Sequence, residues 1–228
     1  DRFGSDTLRY YLLSILPEAS DTSFSWEGFQ ARINGELANN IGNLVSRCLK
    51  FWSKKWKEGI PKEAFANFFG SEMETKCKNA LKEQHRLIED KQLRRALENF
   101  MNLGQEVNTY FTEQAPWAVY KEDEQKAAEI IAQTGMMIAV LGLMARPFMP
   151  ELSRRICENY GDLLNDETMM AMYRGEFDVL ADRLPEKVGL VGAPKILVPK
   201  IEDKVVEELE EELGKKKDAA YFRQRAKG

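Results

Sequence analysis

Asn43 and Arg47 lie four residues apart in a segment of helical periodicity, so both project from one helix face. An amide beside a guanidinium presents several donors and an acceptor, a set suited to the edges of unpaired bases. The same pair also suits a hydrogen bond between helices or an ordinary surface contact. Trp117 follows Pro116 at a break between two helical stretches. An indole on such a turn can stack on a base, a contact worth about 1–3 kcal/mol, or pack at the corner of a helix bundle. Trp26, Trp52 and Trp56 fall on an apolar stripe and read as core.

Other chemistry is sparse. His85 is the one histidine, set between Gln84 and Arg86 with no cysteine or serine at helical spacing on its face. It reads as a surface residue. Cys48, Cys77 and Cys157 are far apart and form no CxxC pair, so neither a zinc site nor a disulfide framework is expected. Free thiols in a reducing cytosol fit this usage. There is no P-loop and no GxGxxG; Gly189 and Gly192 are too sparse to cradle a phosphate. Carboxylate pairs are plentiful, but on polar helix faces where solvation explains them. The residues give no catalytic constellation.

The chain has 228 residues, 43% of them apolar and 31% charged, a globular composition. A net charge of −4 disfavours nonspecific coating of nucleic acid, while leaving room for a local patch that reads a few bases. The longest apolar run, Gly135 to Ala145, is shorter than the roughly 20 residues a membrane span needs. No membrane role is therefore expected. The N-terminus lacks a secretory pattern and begins at Asp1, which reads as a piece cut from something longer.

The elements that position these residues are helices. Ser5 is the expected cap of a first helix that stops before Pro17. Trp26 to Trp56 reads as one long amphipathic helix, with Asn34, Asn39, Asn40 and Asn43 on it. Asparagine is a poor helix former, so these four imply demands other than helix stability. Further helices are expected over 71–86, 90–113, 123–145 and 150–159, with Pro116 opening a short one. The second half of 123–145 is apolar nearly all round and should be the most buried. After Gly161 the pattern weakens; 188–191 and 196–198 read as extended, forming a small hairpin. The run 207–212 reads as a solvated acidic helix, with a linker or frayed end to Gly228. The fold class is thus all-α, an antiparallel helix bundle with a short extended C-terminal tail.

Several phrases resemble one family. Asp1-Arg-Phe-Gly-Ser-Asp-Thr-Leu-Arg-Tyr-Tyr-Leu-Leu resembles the segment after the second nucleotide-binding signature of class I aminoacyl-tRNA synthetases. Ser23-Phe-Ser-Trp-Glu-Gly-Phe and the stretch from Arg32 through Asn43-Leu-Val-Ser-Arg47 resemble the methionyl-tRNA synthetase version. Glu113-Gln-Ala-Pro-Trp-Ala is similar to that family's anticodon-facing turn, and Ile196-Leu-Val-Pro-Lys-Ile-Glu-Asp to the segment closing its helical domain. The resemblance covers about residues 1–203.

It implies a helical anticodon-binding domain whose partner is methionine-acceptor tRNA with a CAU anticodon. By this resemblance Trp117, presented by Pro116, stacks on the first anticodon base, and Asn43 and Arg47 contact anticodon bases. The implied organisation is a stem-contact segment at 1–24, a helical anticodon-binding bundle at 25–160, an extended closing segment at 161–203 and a charged helix and linker tail at 204–228. Residues around Ser5 to Arg9 would face the inner side of the tRNA. The family's His-Ile-Gly-His-like and Lys-Met-Ser-Lys-Ser-like signatures, and its zinc-binding cysteine pairs, do not occur in this chain. No cofactor is therefore expected here. ATP with magnesium, and zinc, are implied for a longer cytoplasmic ligase in which the partners are tRNA and the chain's own catalytic domain, with neither membrane nor DNA. Two alternatives stay open: the equivalent domain of a cysteinyl-, valyl-, leucyl- or isoleucyl-tRNA synthetase, and a helical protein-interaction module.

Overall fold

The computed structural model describes residues 3–17, 23–192 and 197–212. The elements run α1 (Ser5–Ser14), α2 (Trp26–Arg32), a π-helical stretch (Ile33–Gly42), α3 (Asn43–Lys55), β1 (Ile60–Pro61), a 3₁₀ turn (Lys62–Phe65), α4 (Glu72–Glu89) and α5 (Leu93–Gln114). They continue with α6 (Pro116–Val119), α7 (Glu124–Ala145), α8 (Pro150–Cys157), a second 3₁₀ segment (Glu158–Leu164), α9 (Asp166–Tyr173), α10 (Asp178–Arg183) and β2 (Lys187–Val188). Residues 203–212 are also helical.

The bundle is built on α7. Its residues from Gly135 to Ala145 are all buried, and α4, α5, α8 and α3 pack around it. Its 22 residues are long and apolar enough, by length and composition, to cross a membrane. The unbroken apolar run is shorter, and Ile130, Ile131 and the alanines at 127, 128 and 132 carry the apolar character further back along the helix. In this fold 89% of the apolar window is covered by other elements. Asp123 caps the helix, its carboxylate accepting from the Lys126 N–H at 2.8 Å.

Close packing on α7 uses glycine. A Cβ at Gly135 would lie 2.6 Å from the ring of Trp52, which is itself fully buried. The Gly135 carbonyl accepts from the Tyr160 hydroxyl at 2.6 Å, fixing the local backbone. Alanine normally stabilises a helix interior relative to glycine by about 1 kcal/mol. Here the sign reverses: Gly135→Ala is expected to destabilise by about 1–3 kcal/mol through overpacking, read as a lowered denaturant midpoint. A raised midpoint would show that Trp52 can move aside.

The long segment from Trp26 to Lys55 is continuous helix, but ten residues of it are π-helical. The Asn43 N–H donates to the Ala38 carbonyl five residues back, the signature of the wider turn. This stretch faces α5 closely enough that a Cβ at Gly104 would meet Ile41 at 2.3 Å. Asn34 has a structural task. Its amide donates to the Ile201 carbonyl and accepts from the Ile201 N–H, each at 2.8 Å, clamping the C-terminal segment to the bundle.

Other expectations are corrected. Ser5 is the first residue of α1 and Gly4 takes the cap position, with no side-chain cap bond. The segment 161–203 is not uniformly extended, since it contains α9 and α10. α9 starts at an asparagine cap, Asn165 accepting from the Thr168 N–H at 2.9 Å, and it is too short to show a clear apolar period. Among the described residues no strand pairing joins 188–191 to 197–198: β2 pairs antiparallel with β1, Ile60 opposite Val188. Ile196 and the tail beyond 212 lie outside the described residues, as does the start of the acidic run's linker. The three cysteines are free and buried. Burial pushes the Cys157 thiol up to about 11 and the Cys77 thiol up to about 12, so both are protonated and unreactive at neutral pH. His85 is exposed, beside Glu89 at 3.3 Å.

Candidate nucleic-acid interface

α5 ends at Gln114 and the chain reverses at Ala115, whose φ of 41° and ψ of 57° lie in the left-handed region. A residue with a Cβ there costs of order 1–3 kcal/mol, and such strain concentrates at functional sites. Pro116 then opens α6, with its ring closing the first helical position where no N–H is needed. The Ala115 carbonyl accepts from Ala118 N at 2.8 Å and Val119 N at 3.2 Å, so the turn is tightly held. Pro116 is buried, while Trp117, the next residue, is 40% exposed. The turn thus presents an indole on a rigid mount.

Arg47 of α3 meets that indole. Its guanidinium carbon sits 5.1 Å from the Trp117 ring centroid and 5.1 Å from that of Phe111. Phe111 and Trp117 touch edge to face, with centroids 5.6 Å apart at 74°. A planar cation against two rings is a cation–π arrangement that also pins the guanidinium. Further along, Phe51 and Lys55 of α3 contact Tyr120, with ring centroids 5.9 Å apart and the ammonium 4.2 Å from the ring. α6 therefore lies along the 47–51–55 side of α3.

Two of the expected site residues, Arg47 and Trp117, come together directly, and Pro116 sets their turn. Asn43 stands exposed one turn before Arg47, and its side chain makes no hydrogen bond among the described residues. Phe111 is the member that the residue pattern does not mark as part of the site. It is fully buried and forms the wall behind Arg47. Its spacing of six residues from Trp117 gives no signal, because the left-handed Ala115 breaks the helical register between them. Asn40 and Asn108 each keep a buried amide oxygen without a partner, an uncommon condition that marks the π-helical stretch and α5 as polar at depth. Among the described residues no three His, Cys, Asp or Glu side chains form a metal-binding group.

Known proteins resemble this chain in sequence and in fold. The family model for the anticodon binding domain of methionyl tRNA ligase matches residues 60–218, and that for class I tRNA synthetases (M) matches residues 1–49. A methionine–tRNA ligase of Hyphomonas neptunium is 32% identical over 211 residues, covering 92% of this chain and 36% of that protein. One from Thermococcus onnurineus is 35% identical over 156 residues, covering 68% of this chain and 21% of that protein. A crystal structure of Mycobacterium tuberculosis methionyl-tRNA synthetase bound by methionyl-adenylate superposes with a TM-score of 0.69 at 25% identity, over 87% of this chain and 38% of that one. The chain thus spans about a third of the length of curated relatives such as the first. The family matches, laid over a helix bundle that mounts an exposed tryptophan against an arginine, settle the membership left open above: the chain belongs to the methionyl-tRNA ligase family and carries its anticodon-binding domain.

Proposed function

We propose that this chain reads the CAU anticodon of methionine-acceptor tRNA, for a longer cytoplasmic ligase that charges that tRNA with methionine using ATP. The observation that carries it is the Arg47 guanidinium held 5.1 Å from an exposed Trp117. Loop bases splay out of the stack and are read by aromatic stacking and edge hydrogen bonds. Trp117 offers the stacking face for the first base. Asn43 can donate and accept at once, which suits cytosine and adenine, whose pairing edges set an amino donor beside a ring-nitrogen acceptor. Arg47 donates only, so it suits carbonyl and ring-nitrogen acceptors. Neither ATP-binding signature of class I synthetases occurs in this chain, so nucleotide chemistry belongs to the rest of the ligase.

The test is a titration of a CAU anticodon stem-loop at low salt, followed by tryptophan fluorescence, with a loop altered at its first base as control. Selective quenching by CAU is expected, and equal response to both loops would refute the reading. Arg47→Ala is expected to weaken CAU binding about tenfold and to narrow the gap between the two loops. An equal loss for both loops would make Arg47 a phosphate contact. Arg47→Lys is expected to restore little, because an ammonium cannot lie flat between the two rings.

A further inference from the structure

Between Glu36 and Glu58 the sequence contains no acidic residue, while 47–57 carries Arg47, Lys50, Lys54, Lys55 and Lys57. This is an isolated run of positive charge in a chain of net charge −4. At 100° per residue, Asn43, Arg47, Lys50 and Lys54 fall on one narrow strip of α3. The strip flanks the side that α6 covers. Lys50 and Lys54 are exposed, and neither forms an ion pair among the described residues. Many cations elsewhere are neutralised locally, among them Arg32, Lys62, Lys76, Lys78, Arg86 and Arg154, each paired with a carboxylate. Lys82, Lys91, Lys121, Lys200 and Lys204 are unpaired too among the described residues, but they are scattered rather than aligned on one helix strip. The helix dipole accounts for basic residues only in the last turn of α3, which includes Lys54 but not Lys50 or Arg47.

We propose that this strip is a phosphate track, on which the RNA strand flanking the Trp117-stacked base runs toward the C-terminal end of α3, with Lys50 and Lys54 each meeting one phosphate. The inference rests on the anticodon reading and adds the path of the backbone to it. From Arg47 to Lys54 the helix rises about 10 Å, so the track begins at the indole platform and continues beyond it. It also has an end. Lys54 and Lys55 rim a groove of about 790 Å³ whose lining includes Glu63, Glu124 and Glu129. The same lining carries Lys57 and Lys187, so past the last turn the unopposed positive charge gives way to mixed charge. Asn43, Arg47 and Trp117 then select bases, whereas Lys50 and Lys54 bind any RNA that is correctly placed.

The experiment compares the wild-type chain with the double variant Lys50→Ala/Lys54→Ala, and with Lys82→Ala/Lys204→Ala as a control for lost charge. Each is titrated with the CAU stem-loop and the altered loop across a salt series. The track variant is expected to bind both loops about tenfold more weakly at low salt, with an unchanged ratio between them. Its slope of log affinity against log salt should become shallower by about 1.4, the release from two phosphates of a single strand. The control variant should keep the wild-type slope, and Lys50→Arg/Lys54→Arg should retain affinity. Wild-type affinity and slope in the track variant would overturn the track while leaving the anticodon reading intact. So would a loss confined to the CAU loop, which means base contact, or an equal loss in the control variant, which means net charge. Absence of any loop discrimination by the wild-type chain would instead overturn the anticodon reading itself.

Discussion

Replacing Trp117 with alanine is expected to weaken binding of a CAU stem-loop roughly 5- to 150-fold, the range of one lost base–aromatic stack. Stability should barely change. The indole is 40% exposed and its ring contact is the edge of Phe111, so the folded state loses little apolar burial when it is removed. A thermal midpoint within about 2–4 °C of wild type corresponds to a loss near 1 kcal/mol in a chain of this size. The turn that mounts the residue survives the substitution, since Pro116 and the bonds to the Ala115 carbonyl do not involve the indole. A variant that binds as well as wild type would remove Trp117 from the interface. One that melts as early as a core substitution would make it a packing residue.

Trp52→Ala should do the reverse. This side chain has no exposed surface and lies among Phe65, Tyr160 and Gly135, with ring centroids at 5.8 and 6.4 Å from the two aromatics. Truncating a buried aromatic costs about 3–5 kcal/mol, transfer plus cavity. That is a large share of a typical domain's total stability and corresponds to a thermal midpoint lower by roughly 6–20 °C. The void would open where α3 meets α7, the contact that holds Arg47 at its height on the bundle. Binding should therefore fall only in step with the folded fraction, and recover at lower temperature. A midpoint shift under about 4 °C would mean that the neighbouring elements collapse into the space. The opposite pattern of the two tryptophans, one lost to binding and one to folding, separates recognition from packing within one residue type.

That Trp52 belongs to the core was already visible in the pattern of residues, whereas for Trp117 the pattern left stacking and corner packing both open. Trp52 repeats with Phe29, Ile33, Leu37, Val45 and Cys48 along one stripe, and a stripe of that spacing has to be buried. Trp117 sits outside any stripe, after a proline that halts a helix. Helix identity was legible for the same reason. Amphipathic runs longer than about 15 residues have one stable way to hide their apolar side. Short elements were not legible. α9 and α10 are 8 and 6 residues long, too few turns to reveal a period, and are held by tertiary packing. β1 and β2 are two residues each and lie over a hundred positions apart, a pairing that local pattern cannot signal.

The residue order alone therefore settled an all-helical chain, its most buried helix and a candidate set of Asn43, Arg47, Pro116 and Trp117. These depend on periodicity, on proline's missing donor and on side-chain chemistry, all of them local. Tertiary structure decided the rest. A ten-residue π-helical stretch precedes Asn43, and Asn34 within it clamps the distant Ile201. The left-handed Ala115 brings Trp117 back onto Phe111, and only then does Arg47, seventy positions earlier, find two rings to lie against. Both follow from the same cause: close packing of distant helices selects backbone states that the isolated chain has no reason to prefer.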